Sequence, residues 1–331
     1  MFLNEYLMFL FKTLTIVVGI VSIIIVYFYS KVKLKHGKSK GLLIIKDLSN
    51  SYHRLKIQML SNLYAKDKVK EEIRKYKKLT KDNKKKLNRL NTYIIKFNGN
   101  IKATAVESLK EEITAIISVA NKKDNVVLVL ESPGGTVSGY GLAASELSRI
   151  KKKGIKLTII VDKVAASGGY MMACMANKII AAPFAIIGSI GVISQTPNFH
   201  RLLKDKGVEF EQITSGKYKR TVTMFGNNTE EDREKLKSEL GSIHEQFKGL
   251  IKTQRPGIDI EKVSTGEYWL GEKAKELKLV DELMTSEEYL MSIYESGSNL
   301  YRIEYKKKET LMNKLSIASN HIRGIFSTEP I

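Results

Sequence analysis

The chain of 331 residues is long enough for one large domain or two small ones, and its 43% content of hydrophobic residues can form a substantial core. It carries 55 Lys and Arg against 35 Asp and Glu, a formal net charge of +20 that suits binding to nucleic acid or to an anionic membrane surface. The lysines are spread along the chain without a nucleic-acid-binding motif, which argues against nucleic acid as a partner, and a compositional bias of the source genome would give the same excess. The single cysteine excludes an internal disulfide.

An uncharged apolar stretch lies near the amino terminus. Residues 13–29 contain no charged side chain, and their number is at the short end of what a bilayer span needs. A cleaved signal peptide has a similar pattern, but Glu5 precedes the stretch and no small-residue cleavage site lies near residues 27–29. We therefore predict an uncleaved transmembrane anchor over residues 1–30.

A lysine-rich segment follows the anchor. The flanking lysines are Lys31, Lys33, Lys35, Lys38 and Lys40. By the positive-inside rule, a flank of this charge keeps the rest of the chain in the cytoplasm. Further on, Lys, Glu and Asn dominate, with apolar residues at helical spacing such as Leu55, Met59 and Leu63. This pattern predicts one or two exposed helices that form a basic stalk or linker over residues 31–91.

From residue 93 the pattern changes to alternating strands and helices, which is typical of parallel strands joined by right-handed crossovers. Short apolar runs predict the strands, and apolar residues at helical spacing predict the helices. The predicted strands are 93–97, 126–130, 156–161, short strands within 178–193, 208–213, 279–281 and 300–305. The predicted helices are 103–120, 139–152, 198–206, 230–253, two short helices within 259–277, and one from 286 onward. The sequence thus predicts an α/β fold that ends in a basic tail.

One serine stands in a setting that suits a nucleophile. Ser167 lies in the run V-A-A-S-G-G-Y from Val164 to Tyr170, directly after the predicted strand 156–161. Small residues around a serine leave space for a substrate, and glycines after it allow close approach of the backbone. A turn that merely contains Ser and Gly explains these residues equally well.

A nucleophilic serine needs a base, and histidine is the usual one. No histidine lies between residues 124 and 195, and the nearest, His200, falls on a predicted helix beside a charged residue. A lysine serves instead where burial lowers its pKa toward neutrality. Lys219 lies in a glycine-containing loop after the predicted strand 208–213, but Lys217 is two residues away and spacing alone also allows two solvated lysines.

Four motifs together resemble the S49 peptidases, the signal peptide peptidase A family. They are Ser132-Pro133-Gly134-Gly135, Ala166-Ser167-Gly168-Gly169-Tyr170, Gly188-Ser189-Ile190-Gly191 and Gly216-Lys217-Tyr218-Lys219-Arg220. Further runs resemble the membrane-anchored branch of that family: Tyr218-Lys219-Arg220-Thr221, Asn227-Asn228-Thr229-Glu230-Glu231 and Gly266-Glu267-Tyr268-Trp269. The resemblance covers about residues 92–285 and the anchor, and the combined order and spacing are specific where any one glycine pair is not.

The resemblance implies roles for named residues of a serine endopeptidase with a Ser-Lys dyad. They are Ser167 as the nucleophile, Lys219 as the general base, Ser189 as the residue that orients the lysine, and backbone N–H groups of Gly134 or Gly135 with Gly168 as the oxyanion hole. Without the resemblance, Gly135 is explained by the turn alone and Ser189 by a local bend. Arg220 departs from the acidic residue that the signal peptide peptidase A branch tends to have there, which leaves the carry-over of substrate preference open.

The resemblance also implies an architecture: an α/β fold of the ClpP/crotonase type, a stack of β-β-α units behind the anchor and stalk. The peptidase domain would span residues 92–285, and a helical and basic extension would span 286–331. The implied protein is a homo-oligomer, single-pass in a bacterial inner membrane, that cleaves extended peptides such as signal-peptide remnants or misfolded proteins. The family analogy places the domain on the outer face of that membrane, whereas the flanking charge places it in the cytoplasm.

Two other functions remain consistent with the residues: a crotonase-like acyl-CoA enzyme, and a membrane scaffold that kept the fold without catalysis. No cofactor and no metal is predicted, because the sequence has no His, Cys and Glu cluster with ligand spacing and no H-E-x-x-H motif. The predicted partners are therefore a peptide or protein substrate, the lipid bilayer and further copies of the chain.

Overall fold

The computed structural model describes residues 2–34, 41–85 and 90–307. By its backbone contacts the chain divides into two compact units. One comprises Met1–Leu42 with Lys306–Ile331, and the other comprises Leu43–Tyr305. The flanking residues 35–40 and the basic tail from residue 308 lie outside the described residues.

The first unit contains a long apolar helix, α1 (Phe2–Leu34). Its segment Tyr6–Ile23 is long and apolar enough to cross a membrane, and none of that segment is buried by other described residues. Eighteen residues of α-helix span about 27 Å, close to the roughly 30 Å of a bilayer core. The hydroxyl groups of Thr13, Thr15 and Ser22 each donate to a carbonyl four residues earlier, so these polar groups are satisfied within the helix, as lipid requires.

The second unit is built on a large sheet. Its strands are β1 (Leu42–Asp47), β2 (Asn91–Asn98), β3 (Asn125–Glu131), β4 (Lys156–Val161), β6 (Lys178–Ala181), β9 (Glu282–Leu283) and β10 (Asn299–Lys306). The strand order is β1-β10-β2-β3-β4-β6-β9, and every pair from β10 to β9 is parallel. The apolar run of β3 is buried along its whole middle, as expected for a strand with helices on both faces. A mixed α/β fold with a parallel sheet is therefore confirmed.

A small second sheet lies at the end of β3. It contains β5 (Val164–Ala166), β7 (Ile186–Gly188) and β8 (Tyr268–Leu270), with β5 parallel to β7 and β8 antiparallel to it. A single bridge between Ser132 and Ala165 joins the residue after β3 to β5. The small sheet thus carries the chain from the large sheet to Ser167.

The second unit also contains helices. They are α2 (Leu48–Leu63), α3 (Lys66–Lys85), α4 (Val106–Val119), α5 (Val137–Lys152), α6 (Gly168–Ala173), α7 (His200–Asp205), α8 (Glu230–Gln254), α9 (Ile260–Val263), α10 (Gly271–Glu276) and α11 (Ser286–Glu295). The predicted helix 103–120 is present as α4, and its apolar residues at helical spacing, Val106, Leu109, Ile113 and Ile116, are all at most 4% exposed.

Two predicted strands are wrong or displaced. Residues 208–213 form no strand, and Ile213 at the end of that run is 89% exposed. Phe210 packs its ring against Phe225 in place of a sheet neighbour, so alternation of apolar residues here reflects a local cluster. The predicted strand 279–281 lies just before the observed β9 (Glu282–Leu283).

Part of the predicted stalk packs on the large sheet. The predicted helices are present as α2 and α3, but strand β1 was not predicted, because its apolar run Leu42–Ile45 is short and lies in a lysine-rich stretch. Leu48 and Tyr52 of α2 pack against the buried cluster that contains Leu290 of α11. The Tyr52 hydroxyl also donates to Glu287 at 2.9 Å.

Glu112 makes the stability of the domain depend on pH. This residue of α4 is 5% exposed and accepts a 2.7 Å hydrogen bond from the Tyr305 N–H of β10. Burial raises the pKa of Glu112 from 4.5 to about 7; the hydrogen bond from the Tyr305 N–H opposes this shift, Glu304 adds a smaller contribution to it, and Arg302 opposes it weakly. Because the pKa of Glu112 is higher in the folded protein than in the unfolded chain, the protonated carboxyl group favours folding. Its contribution to the free energy of unfolding is complete below pH 4.5 and is lost as the pH rises through about 7.

Glu112→Gln is expected to remove that dependence, since the amide oxygen can still accept from Tyr305 but carries no charge at any pH. At pH 8 the free energy of unfolding of the variant should exceed that of the wild type by up to about 3 kcal/mol, and at pH 4.5 the two should agree. Denaturant unfolding at both values measures this, with the exposed neighbour variant Glu111→Gln as the control. A difference that does not change with pH contradicts the assignment.

Candidate active site

Ser167 occupies a strained turn between β5 and α6. Its φ and ψ are 50° and −117°, a conformation that a residue with a side chain adopts at a cost of about 1–3 kcal/mol. Its N–H donates to the carbonyl of Gly188 at 2.7 Å, which holds the turn to the end of β7. A half-buried serine on a sharp strand-to-helix turn has the geometry of a nucleophile elbow.

The Ser132–Gly135 turn lies directly against Ser167. The Ser132 N–H donates to Val164 O at 2.8 Å, and Ser132 O accepts from Ala166 N–H at 3.0 Å. Gly134 has φ of 92°, and a methyl group placed on it would lie 2.9 Å from Ser167 Cβ and 2.7 Å from Ala166 O. Only glycine fits there, so the sequence motif and the nucleophile are in contact through the backbone.

The structure distinguishes between the backbone N–H groups that were candidates for an oxyanion hole. The Gly134 N–H donates to Ser132 Oγ at 3.1 Å and is therefore occupied. The N–H groups of Gly135 and Gly168 have no acceptor among the described residues. Gly168 is the first residue of α6, where a helix leaves its N–H groups without intrahelical partners. Gly135 with Gly168 is the pair available to a ligand.

Ser189 lies beside Ser167 because β7 and β5 pair in register, with Gly188 opposite Ala166. Its φ is 49°, and its N–H donates to Glu267 O at 2.7 Å. Its side chain is half-buried. Two residues with strained left-handed backbones thus stand next to each other at the ends of paired strands, a concentration of strain that is common at functional sites.

Lys219 is not brought to these two serines in the described chain. It lies in an exposed turn where its N–H donates to Gly216 O at 3.1 Å. Within the residues described, its ammonium makes no hydrogen bond or ion pair with Ser167 or Ser189. The roles predicted for Lys219, Ser167 and Ser189 stay predictions.

Lys217, the neighbouring alternative, is engaged elsewhere. Its Nζ lies 2.7 Å from a Glu231 oxygen and 5.1 Å from the centre of the Tyr218 ring. The hydrogen bond to Glu231, aided by Tyr218, raises the pKa of Lys217 to about 12. Because the Lys217 ammonium is engaged with Glu231, Lys219 is the better candidate of the two lysines.

The segment 192–229 carries Lys219 and is closed at its base. Phe199 N–H donates to Met224 O at 2.7 Å, and Asn198 Nδ2 donates to Thr223 O at 3.1 Å. Many of its large apolar side chains are nevertheless exposed in the described chain: Ile193, Phe199, Leu202, Val208, Phe210, Ile213, Tyr218, Met224 and Phe225. The segment is thus locally ordered but leaves an apolar surface uncovered.

Cys174 is not a candidate nucleophile. Burial raises the pKa of the Cys174 thiol to about 12, and its Sγ donates to Met171 O at 3.2 Å, so it stays protonated. In the parts of the chain that the structure describes, no three His, Cys, Asp or Glu side chains gather as metal ligands.

Sequence comparisons identify the family of this chain. The model described as peptidase family S49 matches residues 149–299, and the one described as peptidase family S49 N-terminal matches residues 1–147. A probable protease SohB of Buchnera aphidicola subsp. Acyrthosiphon pisum (strain APS) is 46% identical over 325 residues, which cover 96% of this chain and 94% of that protein. The chain belongs to peptidase family S49. The predicted resemblance is confirmed, and it extends beyond the range first assigned to it.

Other relatives agree on the kind of activity. A probable protease SohB of Haemophilus influenzae is 44% identical over 329 residues, covering 94% of this S49 chain and 91% of the relative. A putative protease of Methanocaldococcus jannaschii is 32% identical over 188 residues, 56% of this chain and 60% of the relative. Membership of S49 and these names support a peptidase.

One residue near the site was missed by the sequence analysis. Tyr140 of α5 is fully buried, and its hydroxyl lies 2.5 Å from Ser132 Oγ and 2.9 Å from Asn100 O. In the sequence it has only the spacing of an ordinary core residue of a helix, so no local signal could have found it.

Proposed function

We propose that this chain is a membrane-anchored serine endopeptidase in which Ser167 is the nucleophile and Lys219 the general base. The observation that carries the proposal is the strained backbone of Ser167, which lies against the turn at Gly134 and is followed by Gly168, whose N–H has no acceptor among the described residues. Strain of this kind is retained where the surrounding structure fixes a reactive side chain.

The proposed reaction proceeds in two halves. Neutral Lys219 removes the proton of Ser167 Oγ as that oxygen attacks the scissile carbonyl, and the N–H groups of Gly135 and Gly168 stabilise the oxyanion. The C–N bond then breaks, and the leaving amine takes the proton from Lys219. Water, deprotonated by Lys219, attacks the acyl ester, and Ser167 leaves with that proton. Ser189 would accept or donate a hydrogen bond to the lysine amine and orient it.

The base must be buried for this chemistry. A lysine in water is protonated at neutral pH, and desolvation is what lowers its pKa. Lys219 is exposed in the described chain, and the segment around it presents apolar side chains such as Ile193 and Ile213. We infer that the active protein is a homo-oligomer in which this apolar surface of segment 192–229 is covered.

Anchoring and substrate class are part of the same proposal. Helix α1, with its internally satisfied hydroxyl groups, would place the enzyme in a bacterial inner membrane as a single-pass protein. The catalytic unit would have the ClpP/crotonase type of fold. Its substrates would be extended peptides with small or apolar side chains, such as signal-peptide remnants or misfolded proteins, and a peptide strand could add to an exposed sheet edge.

A serine-directed probe tests the reaction class. The full chain in detergent micelles should react with a fluorophosphonate, and mass spectrometry should place the adduct on Ser167 alone. Ser167→Ala and prior heat denaturation should both prevent labelling. An acyl-CoA enzyme of the crotonase type or a non-catalytic scaffold needs no activated serine, so native protein without an adduct on Ser167 excludes the proposed peptidase.

A further inference from the structure

Tyr140 connects two structural elements that form the proposed oxyanion hole. It projects from α5, which lies beneath the Ser132–Gly135 turn and against α6. Its hydroxyl contacts the Ser132–Gly135 turn, and its ring contacts α6. Both contacts are fully buried, since Tyr140 has no exposed surface.

The hydroxyl group of Tyr140 belongs to a chain of hydrogen bonds that ends on the turn. Tyr140 donates to Asn100 O at 2.9 Å, and because a phenol has one proton, Ser132 Oγ must donate to Tyr140 at 2.5 Å. Ser132 Oγ in turn accepts the Gly134 N–H at 3.1 Å. Each donor in this hydrogen-bond network has one acceptor, and such buried, fully satisfied networks fix a single geometry. The orientation of Gly134, and with it that of Gly135, depends on the tyrosine hydroxyl.

The ring of Tyr140 contacts the opposite wall. A methyl group placed on Gly168 would lie 2.4 Å from Tyr140 Cγ, so the ring packs directly against the α-carbon of Gly168, whose N–H has no acceptor among the described residues. The space between α5 and α6 is closed there, and the first residue of α6 cannot move toward the core without displacing the ring.

We propose that Tyr140 is a positioning residue of the oxyanion hole, which holds the Gly135 N–H through Ser132 and the Gly168 N–H through ring contact. The inference rests on the proposed function. Desolvation by burial raises the pKa of Tyr140, against a smaller opposing effect of Ser132, so the hydroxyl keeps its proton and remains the donor to Asn100 O. Without Tyr140, the distance between the Gly135 N–H on the turn and the Gly168 N–H on α6 would vary. A shift of about 1 Å can cost 100-fold in rate.

Tyr140→Phe tests the role of the hydroxyl and leaves the ring in place. For cleavage of quenched fluorescent casein by the full chain, kcat should fall about 10- to 100-fold, with KM within about threefold of wild type. A tripeptide aldehyde ending in leucinal forms a tetrahedral adduct with a nucleophilic serine, and its inhibition constant should rise by the same factor as kcat falls. The affinity for a non-cleavable peptide of the same sequence should be unchanged.

Tyr170→Phe is the matched control. Tyr170 is also fully buried and its hydroxyl also donates to a backbone carbonyl, that of Leu279 at 2.9 Å, but it contacts no residue of the Ser132–Gly135 turn through that hydroxyl. Its replacement should lower the melting temperature about as much as Tyr140→Phe does, with kcat within about threefold of wild type. A merely structural Tyr140 would give two indistinguishable variants, and that result overturns the proposal.

Ser132→Ala provides a second test, which decides the matter if Tyr140→Phe does not fold. This substitution removes the Ser132 hydroxyl, which links Tyr140 to Gly134, and leaves the tyrosine ring against Gly168. The same fall in kcat and in aldehyde affinity is expected, and the double variant should be no worse than the more impaired single variant, because both act through one network. Additive losses, or unchanged kcat in the folded Ser132→Ala protein, overturn the proposal. If Ser167→Ala itself keeps full activity, the proposed peptidase mechanism has failed instead.

Discussion

Ser167→Ala and Lys219→Ala are each expected to abolish cleavage of an unfolded protein substrate, with kcat falling by about 10⁴-fold or more. The alanine at 167 has no nucleophile, and without the amine at 219 nothing accepts the serine proton during attack. Groups that act as one catalytic unit typically lose nearly all their effect when any member is removed. Quenched fluorescent casein, incubated with equal amounts of each full-length variant in detergent micelles, provides the measurement.

Lys217→Ala is the control for Lys219→Ala, because the two lysines share one exposed turn and one charge type. Lys217 is paired with Glu231, so its loss should leave kcat within about threefold of wild type. If Lys217→Ala were inactive and Lys219→Ala active, Lys217 and not Lys219 would be the general base. Full activity of either the Ser167 or the Lys219 variant contradicts the dyad outright.

Arg255→Ala is expected to cost about 3 kcal/mol of unfolding free energy, the largest loss of stability that we foresee for one substitution. The guanidinium is 12% exposed and makes a bidentate pair with Asp281 at 2.9 and 2.7 Å, and it also donates to Lys278 O. Removing one partner of a buried pair leaves the other charge uncompensated, which costs about 3–5 kcal/mol. We take the lower end because Asp281 is 35% exposed and therefore partly screened by solvent.

The loss should appear as a fall of about 6–12 °C in the melting temperature of a domain of this size. Asp281 would also lose part of what holds it to the Ile179 N–H of β6, a bond of 2.7 Å. Arg233→Ala is the control, since its pair with Glu230 is more than half exposed on both sides and should change stability by at most about 0.5 kcal/mol. A melting temperature for Arg255→Ala that equals that of Arg233→Ala contradicts the prediction.

Much of the fold follows from local sequence patterns, and the exceptions have physical causes. Strand β4 was predicted at its observed bounds because its apolar run is flanked by charged and polar residues. Strand β1 was missed because composition over a long lysine-rich stretch masked a short apolar run. The supposed strand 208–213 has the apolar content of a strand, but its Phe210 finds an aromatic partner within segment 192–229. A pattern shows which residues can pair and does not show whether a partner is present.

The candidate site divides in the same way. The family resemblance, which rests on motif order and spacing, named Ser167, Ser189 and the glycine turn, and the topology brings these strand ends together, while their roles stay predictions. The choice of Gly135 over Gly134 required the hydrogen bond that occupies the Gly134 N–H. Tyr140 could not be found from sequence, since its role depends on contacts with two segments remote from its own turn of helix. The exposure of Lys219 likewise depends on tertiary packing that no pattern records.

The edge of the large sheet has a consequence for how the protein is made. Strand β1, near the start of the domain, lies beside β10, which is at its end, and β10 separates β1 from β2. The first strand to leave the ribosome must therefore wait for the last before it finds its neighbour, and contacts between such distant residues form slowly. Chains cut before Asn299 would leave β2 as an open edge with unpaired backbone groups. Nascent chains of this peptidase should thus be prone to aggregation until β10 has been synthesised, and truncated chains that lack β10 should remain so.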